Sequence, residues 1–506
     1  MRLSAATGAV VATLRRPADV LPFYLLGAAV PAIARVLTFL GLAVAYLYLE
    51  ATGRLATARA ELAAVDATPP DPEAEPAAFA EWSEAIAPAL DPLFSPVVAV
   101  ILVGSVLATV LVAAVLSAVV SAGELAACDG RLRGGRGLTA GIVGVRRYWP
   151  RFLGLAVLEL ALWIAATAAL VALVAVVFVP LSLLSGSVAL FVVLLAVPPW
   201  LALVAVVRAL FALAPVAVVV DDAGVLASLR EAVRFVRRRP VAAGFYYAVA
   251  LGSTLAVATL ASTLAVLGVG IVISLALSIA LPPALDLLKT ALYADYRDVL
   301  SPPEPTAEPV RRQFVGGLRR GVRELLAFVR ETPGTHLVAV ASMVAGLATG
   351  WIVADPLAGA VDASIAARID GQIPPRAAFE YFGNNWAVAL VTAYSGVALA
   401  VPAIASLWFN GLFVGALARL EVDLRALLAF IAPHGVVELP AIVVSGAVGI
   451  FLGVAWWRTL RGRATRAAFA DALERAFWVC VGLGVALALA AVIEGFVSPY
   501  YWRPFV

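Results

Sequence analysis

Long blocks of almost unbroken apolar residues alternate with short segments that carry most of the charge. Each block is roughly 20 residues or more, the length a helix needs to cross a bilayer, and longer than the apolar face of an ordinary strand or surface helix. Blocks over 21–49, 96–122, 152–179, 189–215, 241–264 and 267–292 predict six spans in the first part of the chain. Blocks over 336–354, 384–419, a stretch ending at 455 and 476–497 follow after residue 336. The predicted class is all-α, a polytopic membrane protein.

The charges orient these spans. Arg15 and Arg16 precede the first, and Arg131, Arg133, Arg136, Arg146, Arg147 and Arg151 follow the second. By the positive-inside rule both segments are cytoplasmic, as is an N-terminus with no cleavable leader. The loop between them is acidic, with Asp66, Asp71, Glu73, Glu75, Glu81, Glu84 and Asp91. Parity then decides the 384–419 block. One crossing would put the arginines of "WWRTLRGRATR" (456–466) outside; two crossings, or a re-entrant pair, keep them inside. As a single helix the block would be ~54 Å long against a core of ~30 Å. Gly396, Pro402 and Asn410-Gly411 offer places to break it. The expectation is about eleven spans, six plus five, with broken or re-entrant helices in the second group. The C-terminus then lies outside, where the aromatics of "SPYYWRPFV" suit the interface.

Two segments between spans are amphipathic rather than apolar. In "DDAGVLASLREAVRFVRRRP", Val225, Leu226, Leu229, Val233 and Val236 recur at helical spacing. Arg230, Arg234, Arg237, Arg238 and Arg239 lie among and after them, which predicts a basic helix at the cytoplasmic membrane surface. "VRRQFVGGLRRGVRELLAFVRE" repeats the pattern with Phe314, Leu318, Val322, Leu325 and Phe328 on one face. It follows the proline-rich "LSPPEPTAEPVRRQ", which reads as a linker. The expected division is a six-span domain over 1–300, linker and basic helix over 301–335, and a five-span domain over 336–506.

Composition sharpens this in three ways. The chain is 63% hydrophobic and 14% charged, with mean hydropathy +1.00, far from the balance of a soluble domain. Cys128 and Cys480 form no CxxC pair, so neither a disulfide framework nor a zinc cluster follows from the cysteines. Lys289 is the only lysine; arginine carries the positive charge, and nothing in its distribution points to nucleic acid.

Polar groups at membrane depth are costly, so each needs a partner or a role. In the second domain they are Asn384, Asn385, Asn410, His434, Glu438 and Glu494. Pro433 favours a helix start, and a helix over 433–455 puts His434 and Glu438 one turn apart on one face. Ala441, Ser445, Gly449 and Gly453 continue at four-residue intervals, a stripe that lets another helix approach closely. Three readings compete. A metal site is limited by HxxxE supplying two ligands at most, with no HExxH and only His336 besides, so no metal or cofactor is expected. A proton or ion relay would use Glu438 and Glu494. A structural network would let the asparagines, His434 and Glu438 satisfy one another and the broken backbone.

The strings "FGNNWAVAL" (382–390), "NGLFVG" (410–415), "PHGVVELPA" (433–441), "GIFLG" (449–453) and "IEGFVSP" (493–499) resemble, in order and spacing, the stage II sporulation protein M family over about 336–499. The resemblance implies a multispanning membrane domain, which in spore formers acts as a scaffold for peptidoglycan-degrading partners. Many members occur where no sporulation role can hold. The family positions carry over as Asn384, Asn385, Asn410, Gly411, Pro433, His434, Gly435, Glu438, Pro440 and Glu494, without assigned chemistry. "APVAVVVDDAGVLASLREAVRFVRRRP" with "LKTALYADYRD" resembles uncharacterised six-span archaeal membrane domains, like the membrane region attached to some glycerophosphodiesterases. Arginine-for-lysine usage and the acidic loop resemble haloarchaeal proteins, with high-GC bacteria as the alternative. The expected function is a non-enzymatic protein of the cell membrane that organises other membrane or envelope proteins, or itself as a homo-oligomer. The alternative is a channel or transporter with its site around His434, Glu438 and Glu494.

Overall fold

The computed structural model describes residues 3–63, 65, 76–265, 268–302, 304, 307–359, 361–501 and 503. Four of the acidic loop residues (Asp66, Asp71, Glu73, Glu75), part of the proline-rich linker (Pro303, Pro305, Thr306) and Trp502 lie outside them. Every regular element described is a helix. A short α1 (Leu3–Leu14) precedes α2 (Leu21–Ala51), α3 (Arg54–Leu62), α4 (Pro76–Leu90) and α5 (Pro96–Leu132). Then come α6 (Gly137–Leu184), α7 (Gly186–Val220), the basic α8 (Val225–Arg238), α9 (Pro240–Ala265) and α10 (Gly270–Tyr296). The second part holds α11 (Val310–Glu331), α12 (Pro333–Ala354), α13 (Ile365–Ile369), α14 (Pro374–Ser395), α15 (Val401–Leu420), α16 (Leu424–Leu460), α17 (Arg466–Phe496) and α18 (Ser498–Tyr501).

Ten of these are long and apolar enough to cross a membrane: α2, α5, α6, α7, α9, α10, α12, α15, α16 and α17. The eleventh expected span is α14, whose first turns carry Arg376 and Glu380 and dilute its apolar character. Its direction follows from packing. A Cβ on Gly346 would strike the Trp408 carbonyl and one on Gly350 the Leu412 carbonyl, while Gly411 and Gly415 meet the carbonyls of Met343 and Leu347. Sequence numbers rise together on both partners, so α12 and α15 run parallel, backbone on backbone. Two parallel neighbours require the chain to return between them, and α14 is the helix that does so. The 384–419 block is thus a helical pair, broken at Gly396–Ala400. Leu399 (φ 58°) and Ala400 (φ 66°) both take left-handed backbone there. Pro402 falls in the first turn of α15, and Asn410-Gly411 continue it unbroken.

Contacts group Met1–Ala29 with Ser117–Val506 into one compact unit and Val30–Leu116 into another. In the smaller unit Thr38 and Thr109 hydroxyls meet at 2.9 Å across α2 and α5. In the larger, the basic helices are docked. The buried side of α8 is Ser228, Ala232 and Phe235, leaving Arg230, Arg234, Arg237 and Arg238 exposed, while Arg239 stands over the Tyr296 ring. Helix α11 packs across α17: Gly321 abuts Gly482, and Arg320 bonds Glu474 at 3.1 Å and stacks on Trp478. Arg136, from the α5–α6 turn, reaches the same Glu474 at 3.1 Å and Asp471 at 2.6 Å.

The paired aspartates after α7 show why that segment is so charged. Asp221 holds Arg297 and accepts from the Tyr293 hydroxyl at 2.6 Å. Asp222 takes Arg147 and Arg151 from α6, and those two guanidinium groups hold its carboxyl below the usual range. One dipeptide thereby ties α6, α8 and α10 together at the arginine-rich end, with Glu231 of α8 on the same Arg297 at 2.8 Å.

Candidate functional site

Helix α16 begins nine residues earlier than the sequence pattern suggested. Asp423 caps it, accepting from the amides of Arg425 and Ala426 at 2.9 and 3.0 Å. A capped start outranks a proline as a helix signal, so Pro433 lies inside the helix, followed by Pro440. Each proline removes an amide donor and frees a carbonyl one turn earlier. This weakened helical stretch is where His434 and Glu438 project.

The third member comes from the end of α17. His434, Glu438 and Glu494 present their nearest ligating atoms within 4.8 Å of one another. His434 is 5% exposed, and its Nε2 lies 4.0 Å from Glu494 Oε1. Its other nitrogen, Nδ1, is 2.9 Å from the Ser498 hydroxyl, and the imidazole also bonds the Phe430 backbone one turn back. A hydroxyl can donate or accept, so Ser498 serves either tautomer, and Nε2 is the nitrogen turned toward Glu494. The Phe430 ring packs edge-on against the imidazole at 5.3 Å. Asn385 of α14 bonds the Glu438 carboxylate, and Asn384 donates to Asn385 at 3.2 Å. Even so, Oε2 of Glu438 and Oε2 of Glu494 are buried without a hydrogen-bond partner.

A cavity of about 270 Å³ opens beside this cluster, lined by Asp370, Gln372, Arg376, Glu380 and Tyr381. Tyr381 donates to Gln372 at 3.0 Å and stands within Coulombic reach of Glu494, as does Arg368. Gly495, next in sequence to Glu494, sits against the Pro374 carbonyl and Ala378 at the start of α14, the helix that also supplies Arg376, Glu380 and Tyr381 to the cavity.

The remaining positions singled out from sequence lie elsewhere. Asn410 donates to the Ser406 carbonyl of its own helix at 2.7 Å, and Gly411 serves the contact with α12. Gly435 is buried beside Ile431. Ala441, Ser445, Gly449 and Gly453 are all buried. Gly449 lies on Ala403 and the Thr392 carbonyl, and Gly453 on Gly396 and Ala400, so the stripe receives the α14–α15 turn.

Residues 339–499 match the family model of stage II sporulation protein M. The match spans α12 to the start of α18 and includes all three members of the cluster. No curated protein and no solved structure matches the chain. The matched region is thus the part with α12 and α15 interlocked, α16 carrying two internal prolines and α17 completing the polar cluster.

A second ionisable cluster lies outside that region, and the sequence pattern did not reveal it. Lys289, the only lysine, pairs with Asp286 one turn back on α10 at 2.7 Å, the two side chains 11% and 19% exposed. Tyr24 of α2 donates to the other Asp286 oxygen at 2.8 Å and touches Cys128 Sγ at 3.4 Å. Glu124 of α5 is close by, pressed against Gly27. The signal available was a carboxylate three residues before a lone lysine, inside a block otherwise apolar.

Proposed function

We propose that this is a cation-handling protein of the cell membrane, of the channel or transporter class, whose C-terminal domain takes up its ion at His434, Glu438 and Glu494. The observation that carries the reading is the pair of buried, unpartnered carboxylate oxygens clustered with a buried imidazole. A purely structural network would have ended with those acceptors satisfied, because unpaired buried acceptors cost about 1–3 kcal/mol each. Acceptors without donors are instead what a cation needs. The cavity at Asp370 and Tyr381 supplies the approach. The positive-inside rule applied to the arginine-rich turns supports a cytoplasmic opposite end, and hence an approach from outside, with the N-terminus in and the C-terminus out.

Reconstituted in liposomes carrying a pH-sensitive or metal-sensitive dye, the protein should pass protons or divalent cations. Glu438→Gln should cut the rate about tenfold or more, since an ionisable group at the binding site is replaced by a neutral one. Absence of flux for every cation tried would overturn the reading.

One observation favours a second role, as a non-enzymatic organiser of other membrane or envelope proteins. The amphipathic α11 leaves Val310 and Phe314 62% and 66% exposed beside its arginines, a surface on which a partner or the bilayer could rest. Recovery of a stoichiometric envelope partner in mild detergent, with no flux in liposomes, would favour that role.

A further inference from the structure

We infer that the ion bound by His434, Glu438 and Glu494 is a divalent transition-metal ion of the zinc or manganese class. The inference rests on the cation-site reading above and chooses among cations. A proton serves two acceptors at hydrogen-bond distance, roughly 2.7–3.2 Å. The His434 Nε2 to Glu494 Oε1 separation is 4.0 Å, too long for that bond, and a third acceptor on Glu438 would remain unserved. A metal with ligands at about 2.0–2.1 Å in tetrahedral geometry sets its donors about 3.4 Å apart. The three donor atoms, none more than 4.8 Å from another, reach that spacing by roughly 1 Å of side-chain closure.

Donor chemistry and surroundings agree. One neutral imidazole nitrogen with two carboxylates suits zinc, manganese or ferrous iron better than calcium or magnesium, which prefer oxygen alone. Metal ligation through Nε2 would put the His434 proton on Nδ1, 2.9 Å from the Ser498 hydroxyl, the outer-shell arrangement that fixes a metal-ligating imidazole. Asn385 plays the same part for Glu438. The HxxxE spacing alone supplies two ligands; the packing of α17 on α16 adds the third. Three protein ligands leave a coordination position open for water or an exchanging ligand.

The test uses the full-length protein in detergent, with its purification tag removed, incubated with zinc or manganese chloride and freed of excess metal. Elemental analysis should find about one ion per chain. Calorimetric titration with zinc chloride should give a Kd weakened at least tenfold in Glu438→Gln and in Glu494→Gln, and about tenfold in Ser498→Ala. The Gln variants keep side-chain volume, and their elution on size exclusion verifies the fold. No bound metal, or unchanged binding in both Gln variants, would overturn the inference. Flux without metal would leave the transport reading standing while removing this one. Metal without flux would do the reverse.

Discussion

Gly411→Leu should separate α12 from α15 and cost the C-terminal domain about 3 kcal/mol or more, the upper end of overpacking penalties. The helices touch through four glycines, Gly346 and Gly350 on one, Gly411 and Gly415 on the other. At each, the first side-chain carbon would overlap a carbonyl of the facing backbone, and neither helix can yield without moving as a whole. Lipid tails are as apolar as leucine, so the pair owes its association to this close van der Waals contact rather than to the hydrophobic effect. Gly252→Leu on α9 is the control, because no atom lies within 4 Å of the added carbon. Thermal unfolding in detergent should show a large fall in Tm for Gly411→Leu and little change for Gly252→Leu. Equal stabilities would mean that α12 and α15 do not meet through these glycines.

Those glycines also show what the sequence carried and what it did not. The strings "GLATG" and "GLFVG" advertise small-xxx-small faces, yet a face names no partner, and only the folded chain shows that the two seal each other. Ten spans were legible because apolar length is a local property. The return at Gly396–Ala400 was legible because charge parity is a constraint on the whole chain. Membership in the polar cluster was partly hidden. His434 and Glu438 share one turn, which spacing reveals, whereas Glu494 arrives from another helix nearly 60 residues on. Asn410, read as a companion from its place among the same motifs, instead bonds its own helix. A side chain's depth in the bilayer follows from sequence; which neighbour it faces depends on helix rotation, set by packing.

Asp286→Ala should be among the most damaging single substitutions in the N-terminal part, with a loss of about 3–5 kcal/mol. Asp286 accepts from Lys289 at 2.7 Å and from the Tyr24 hydroxyl at 2.8 Å, joining α10 to α2. Removing it strands the charge of a largely buried lysine, with Glu124 within electrostatic reach. Ion pairs of this kind owe little of their value to mutual attraction, since desolvation offsets most of it; the cost lies in leaving one partner alone. The double variant Asp286→Ala/Lys289→Met should therefore regain most of the loss, methionine matching the lysine stem in shape without its charge. Denaturation of the three proteins in the same detergent would measure the cycle. If the double variant is no more stable than Asp286→Ala alone, the damage comes from the lost Tyr24 bond and not from a stranded charge. If Asp286→Ala matches the parent, Lys289 has a way to water, and its pairing with Asp286 supports neither stability nor a closed membrane core.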